Sequence, residues 1–110
     1  DFALFRLTNL VDNMIIYPKN MMKNLNITKG VIFSQEMMLE LTKVGLSREK
    51  AYKKIQMHAI NSFNKNTNLI ELIKKDKSIT SLISEKKIDK VFTYSKHLKN
   101  VNYIFRRVFK

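Results

Sequence analysis

The two histidines are the side chains in this sequence best suited to acid–base or metal chemistry. His58 and His97 carry imidazoles whose ordinary pKa lies near neutrality, so each can take up or release a proton at physiological pH. They lie far apart, and neither stands in the His-x-x-x-His or His-Glu-x-x-His spacing that brings two imidazoles to one zinc ion. We therefore predict no metal site, and we expect His97 to be a partly buried structural residue.

Nucleophiles and phosphate-binding loops are not indicated either. Cysteine is absent, which excludes disulfides, thiolate ligands and thiol nucleophiles, and is typical of a reducing compartment. None of the serines considered lies in a Gly-x-Ser-x-Gly elbow, and two glycines, Gly30 and Gly45, cannot form a glycine-rich phosphate loop. The sequence thus predicts no catalytic, cofactor-binding or metal-binding residue. The serines considered are Ser34, Ser47, Ser78, Ser81, Ser84 and Ser95.

The formal net charge of +12 is the most unusual property of the composition. Proteins that bind nucleic acid or an anionic membrane surface often carry a net positive charge of this size. The basic residues are mostly lysines spread along the whole chain, with only four arginines, whereas phosphate and base readers favour arginine. Because asparagine and isoleucine are also abundant, an A/T-rich coding sequence is the favoured explanation, and we expect neither a nucleic-acid nor a membrane partner.

The elements that must position any site are predicted to be helices. Only two glycines and one proline occur in 110 residues, which is too little turn chemistry for an all-β fold. Apolar residues recur at helical spacing, so we predict one all-α domain of five to seven helices, with most of the six methionines in its core rather than in a peptide-binding groove. No apolar run approaches the roughly 18 residues that span a bilayer. The predicted helical segments are residues 1–16, 20–30, 31–44, a helix that begins after Ser47, and segments within 69–75, 79–92 and 96–110.

The stretch GLSREKAYKKIQ, residues 45–56, is predicted to join two of these helices. Gly45 would end the first helix in a left-handed conformation, and Ser47 would cap the second. We expect the second helix to turn Ala51, Ile55, Ala59 and Phe63 inward. Together with the preceding residues from Leu41, this stretch also has the outline of a helix-turn-helix, so a nucleic-acid-binding domain using residues 41–56 is the alternative hypothesis. Lys54, where an inward aliphatic is usual, and Leu41, where a small residue is usual, weaken that alternative.

Two long blocks of the sequence form a specific pattern. The first is YPKNMMKNLNITKGVIFSQEMMLELTKVGLSREKAYKKIQMHA and the second is YSKHLKNVNYIFRRV. Together they resemble the C-terminal domain of adenylosuccinate lyase in its shorter bacterial form. The resemblance covers essentially the whole chain with the spacing between blocks kept. It departs at Lys50, where the family usually has a second glutamate, and at the C-terminus, which is more basic than usual. The residues that carry the resemblance are Pro18, Met21 or Met22, Asn24, Leu25, Thr28, Gly30, Ser34, Gln35, Gly45 to Glu49, Ala51, Tyr52, Gln56, His97 to Val101, Phe105, Arg107 and Val108.

This resemblance implies membership of the fumarase and aspartase superfamily of all-helical, cytoplasmic, homotetrameric lyases. The implied parent enzyme eliminates fumarate from adenylosuccinate, giving AMP, and from the succinylcarboxamide intermediate SAICAR, giving AICAR, in purine synthesis. Residues 1–16 would be the end of the last central-bundle helix, and residues 17–110 the C-terminal helical domain. The chain would thus be a piece of a longer protein, and its partner would be the remainder of that enzyme. The family's catalytic serine and histidine lie upstream, so the resemblance assigns no catalytic residue and no cofactor here, and predicts a segment that is inactive alone.

Overall fold

The computed structural model describes residues 1–109, and every regular element in that range is helical. Seven helices have seven residues or more, and α6 and α8 are single turns of four residues, so the prediction of an all-α fold is confirmed. A 3-10 turn, Val31–Phe33, leads directly into α3. The helices are α1 (Phe2–Asp12), α2 (Pro18–Asn26), α3 (Ser34–Lys43), α4 (Arg48–Lys65), α5 (Leu69–Lys75), α6 (Lys77–Thr80), α7 (Glu85–Val91), α8 (Ser95–Leu98) and α9 (Val101–Val108).

Helix boundaries differ from the predicted ones in several places. The segment predicted for residues 20–30 ends at Asn26, and the one predicted for 96–110 divides between α8 and α9. Helix α1 ends at Asp12 and not at residue 16, and Pro18 begins α2 at its first turn, where a proline is well tolerated. Residues 79–92 divide between α6 and α7, because Ser84 adopts an extended conformation at the N-terminus of α7. Helical spacing of apolar residues persists across such a break, so the pattern alone does not locate it.

One hydrophobic core lies among the central helices α3 to α7, with Phe33 of the 3-10 turn at its edge. Helices α3 and α4 form its most extensive packing, and α5 and α7 close it from the other side. Helix α4 buries Ala51 and Ile55 in this core, as predicted. The buried apolar residues are Phe33, Met37, Leu41, Ala51, Ile55, Leu69, Ile73, Ile79, Ile83, Ile88 and Val91.

The two ends of the chain, by contrast, bury no side chain. Helices α1, α2 and α9 contain no buried residue, and the molecule is elongated, with extents of 60 × 32 × 23 Å. The prediction for the methionines is therefore wrong for most of them. Met37 is buried and Met38 is packed against the core, whereas the other four are exposed because α1, α2 and one face of α4 have no packing partner within residues 1–109. The exposed methionines are Met14, Met21, Met22 and Met57.

No helix within residues 1–109 is both long enough and apolar enough to cross a membrane.

The turn between α3 and α4 has the predicted geometry. Gly45 has a φ of +96°, the left-handed region that glycine adopts without strain. Ser47 is extended, and its hydroxyl accepts a hydrogen bond from the backbone N–H of Lys50 at 3.4 Å. A glutamate at position 50 would accept a hydrogen bond from the backbone N–H of the capping residue, which a lysine cannot do.

Replacing Lys50 with glutamate is expected to complete this capping box. The new carboxylate would accept a hydrogen bond from the Ser47 backbone N–H and would lie near the positive end of the α4 dipole. We expect the free energy of unfolding to rise by a few tenths to about 1 kcal/mol, measured by urea unfolding of the 110-residue chain. Lys50→Ala is the control, since it removes the lysine without adding an acceptor; equal midpoints for the two variants would show that no capping box forms.

Candidate functional site

A groove of about 630 Å³ between α3 and α4 is the candidate binding site among the described residues. Ser34, Gln35 and Met38 line it from α3, and α4 supplies the remaining side chains. The α4 residues share one face because they are spaced by three or four positions along the helix. They are Arg48, Glu49, Tyr52, Ile55, Gln56 and Ala59.

The floor of this groove is apolar and its rim is polar. Met38, Ile55 and Ala59 form the floor, where Ile55 is 3% exposed and belongs to the core. The rim carries a guanidinium, a carboxylate, two carboxamides, a phenol and a hydroxyl. Within residues 1–109, no rim side chain makes a hydrogen bond or an ion pair with another residue. The capping hydrogen bond at the start of α4 joins Ser47 to Lys50, and neither of these residues lines the groove. The rim residues are Ser34, Gln35, Arg48, Glu49, Tyr52 and Gln56.

The groove is suited to binding and not to acid–base or metal chemistry. It contains neither histidine, and Glu49 is its single carboxylate. Across residues 1–109, no group of three or more histidine, cysteine, aspartate or glutamate side chains lies close enough together to hold a metal ion. What the rim offers is one cation, one anion and several neutral hydrogen-bond partners around an apolar surface, which is the composition of many protein-binding clefts.

His58 lies in a separate polar cluster where α4 meets α6. Its Nε2 atom is 2.8 Å from Oδ2 of Asp76, and both side chains are largely buried. Oδ1 of Asp76 accepts a hydrogen bond from the backbone N–H of Ser78 at 2.9 Å, which caps the N-terminus of α6. Lys54 lies 4.0 Å from the same carboxylate and donates a hydrogen bond to the Ser78 hydroxyl. The cluster therefore joins α4 to the start of α6 through one carboxylate.

The inward face of α4 differs accordingly from the predicted one. After Ala51 and Ile55, the buried residues are His58 and Ser62, while Ala59 is half-buried and Phe63 is 60% exposed. His58 tolerates this position because Asp76 satisfies its ring nitrogen, and the Ser62 hydroxyl donates a hydrogen bond to the Thr67 carbonyl oxygen at 2.6 Å. The spacing of apolar residues alone favours Phe63 as a buried residue, because this spacing does not take account of polar side chains that face inward.

The electrostatics of Asp76 follow from its surroundings. Burial raises the pKa of Asp76, but hydrogen bonds from the Ser78 hydroxyl, from His58 and from the Ser78 backbone N–H, with the nearby Lys54 charge, outweigh burial and lower it to about 2. The carboxylate is thus ionised throughout the physiological range. Its partners stabilise the ionised carboxylate, which contributes to the structure by connecting α4 to the start of α6.

Two glutamates one turn apart on α3 form a second set of ion pairs. Glu40 lies 2.7 Å from Lys43 and 2.9 Å from Lys87, which connects α3 to α7. Hydrogen bonds from these lysines lower the pKa of the Glu40 carboxyl below its ordinary value. Glu36 pairs with Lys96, which connects α3 to α8.

His97 does not have the surroundings that the sequence suggested. Its side chain is 62% exposed, so the expectation of a partly buried histidine is wrong. It lies in α8, one face against the Phe33 ring at 6.4 Å between centroids, and Nε2 is 4.0 Å from Glu36. Helix α9, which follows α8, contains no buried residue and so does not enclose the imidazole within residues 1–109. The structure keeps His58 and His97 in different clusters, so they form no joint site.

Comparison with known proteins identifies relatives of the whole chain. The family model described as "Adenylosuccinate lyase C-terminus" matches residues 30–108. The adenylosuccinate lyase of Bacillus subtilis (strain 168) is 40% identical over 108 residues, which cover 98% of this chain and 25% of that protein. The chain therefore spans about a quarter of the length of this curated relative. The helix-turn-helix alternative for residues 41–56 receives no support from these matches.

Proposed function

This chain belongs to the adenylosuccinate lyase family, as a C-terminal domain, and from that premise we propose that it serves an enzyme that eliminates fumarate from adenylosuccinate, giving AMP. By the same elimination the enzyme would convert SAICAR to AICAR in purine biosynthesis. The observation that carries this proposal is the 40% identity to a curated adenylosuccinate lyase over 98% of the chain. An identity of 40% in an alignment that covers nearly the whole chain supports a shared role for the domain in its parent enzyme.

Within that enzyme, we propose a structural role that includes limiting access of solvent to the active site. The described residues bring together no acid–base pair in a cleft: the groove lacks a histidine, and Asp76 engages His58 in holding α4 to α6. A domain of this kind contributes by packing against the elements that bear the catalytic groups and by excluding water when they close. Substrate would be bound mainly by regions outside these residues.

The exposed ends of the chain support assembly into a larger protein. Helix α1 presents apolar side chains on most of its circumference, and all of them are exposed within residues 1–109. A helix that is apolar all round is stable when it is buried among other helices. We propose that residues 1–16 are the end of a central-bundle helix in a homotetramer, that residues 17–110 form the C-terminal domain, and that the enzyme is cytoplasmic, with neither nucleic acid nor membrane as a partner.

Enzyme assays with purified proteins test this function. We expect the full-length enzyme to convert adenylosuccinate to AMP and fumarate, and the 110-residue chain to show no turnover. Removing residues 17–110 from the full-length enzyme is expected to abolish assembly or to reduce turnover strongly. Turnover by the 110-residue chain would overturn the inactive assignment, and a truncated enzyme with unchanged steady-state kinetics would overturn the solvent-excluding role.

A further inference from the structure

The polar side chains on the rim of the α3–α4 groove have no hydrogen-bonding or ion-pair partner among residues 1–109. Six hydrogen-bonding or charged side chains surround one apolar floor, and none of them is engaged by another side chain of residues 1–109. Elsewhere in the domain, the buried Glu40 is paired with Lys43 and Lys87. Unpaired polar groups converging on an apolar concavity are what an interaction surface offers before its partner is present.

The two walls of the groove come from different helices. Ser34 and Gln35 lie on α3, and Arg48, Tyr52 and Gln56 lie on α4. The turn at Gly45 brings these two helices to opposite sides of one groove.

We propose that the α3–α4 groove is the docking site for a segment of the same enzyme's polypeptide that lies outside these 110 residues. The inference rests on the proposed function, and it names the surface through which the domain would act. The docked segment places an apolar side chain on the floor formed by Met38, Ile55 and Ala59, and a carboxylate beside Arg48. Gln35 and Gln56 hydrogen-bond to its backbone from the two walls.

Three observations favour this occupant. The curated relative extends well beyond the matched region, since the chain covers 25% of it, so most of the polypeptide is available in the same molecule. A covalently connected segment binds at a high effective concentration, which suits a shallow groove. The chain carries a net charge of +12, and the rim contributes the cation Arg48, so an acidic segment is attracted. Two copies of a concave groove cannot fill each other.

Photo-crosslinking in the full-length enzyme tests the docking site. Gln56, an exposed residue on the groove wall, is replaced with p-benzoyl-phenylalanine, and the purified enzyme is irradiated, digested and mapped by mass spectrometry. We expect an adduct to a peptide from outside residues 1–110. Lys50, exposed on α4 but outside the groove, receives the same probe as the control. The size of the adduct on a denaturing gel separates attachment within one chain from attachment between subunits, and both support the proposal.

Charge reversal provides the second measurement. Arg48→Glu is expected to abolish most of the Gln56 adduct, and Lys50→Glu, which makes the same charge change in the same turn of α4, is expected to retain it. The proposal is overturned if the adduct maps to residues 1–110 of the same or another copy, or if its yield is no higher than at the Lys50 control. Activity on adenylosuccinate is assayed in parallel: an enzyme that forms the adduct but lacks lyase activity would refute the proposed function and leave the docking site in place.

Discussion

Replacing Leu41 with alanine is expected to lower the free energy of unfolding of the chain by about 2–5 kcal/mol. Leu41 lies on α3, is completely buried, and belongs to the cluster in which α3 packs on α4. Removing its side chain loses the hydrophobic contribution of the deleted atoms and leaves a cavity that the surrounding helices fill only partly. Urea unfolding followed by circular dichroism at 222 nm measures the change.

Leu39→Ala is the matched control for this substitution. Leu39 lies two residues away on the same helix and is 46% exposed, so the same atoms are removed from a position that loses little buried surface. We expect its effect to stay well below that of Leu41→Ala, within about 1 kcal/mol. If the two variants unfold at the same urea concentration, the core is not where the structure places it.

The fold of the central helices was accessible from the sequence because local signals agreed with each other there. Gly45 and Ser47 mark the end of α3 and the start of α4 by conformational preference and by capping, and the apolar spacing of Leu41, Ala51 and Ile55 indicates which faces meet. Such signals act within a few residues of one another. They need no knowledge of the rest of the molecule.

The parts that could not be predicted depend on contacts between distant segments. His58 faces inward because Asp76, 18 positions later, reaches its ring nitrogen, and the apolar pattern of α4 contains no trace of that pairing. The sequence Asp-Lys-Ser at 76–78 did contain the signal for a capped turn, since aspartate is a preferred N-cap, but the signal does not identify the histidine.

The groove was missed for a related reason. A search for catalytic patterns looks for histidines, nucleophiles and glycine-rich loops, whereas Gln35, Arg48, Tyr52 and Gln56 gain their meaning from sharing one concave surface. The apolar stripes on α1 and α9 indicate helices, as found, but they do not indicate that both faces stay exposed within residues 1–109.

Acidification is expected to destabilise the chain through Asp76, and Asp76→Asn is expected to remove much of that sensitivity. The carboxyl has a pKa of about 2 in the folded protein against an ordinary value of 3.8. A group whose pKa is lowered by folding stabilises the folded state above its unfolded pKa, and this stabilisation is lost as the pH falls toward the folded pKa. The difference corresponds to about 2 kcal/mol at pH 7, lost between roughly pH 5 and pH 2.

Urea unfolding at about pH 7 and about pH 2 measures this contribution. At neutral pH, Asp76→Asn is expected to be less stable than the unsubstituted chain, because the neutral amide pairs less strongly with His58 and Lys54. At the acidic pH the two proteins are expected to converge. Glu40, whose pKa is also lowered, keeps a residual acid sensitivity in the variant, so the slope becomes shallower without vanishing. Asp12→Asn changes the net charge equally from an exposed position on α1; a pH dependence altered as much by that control would mean that general charge repulsion, and not the Asp76 cluster, governs the acid response.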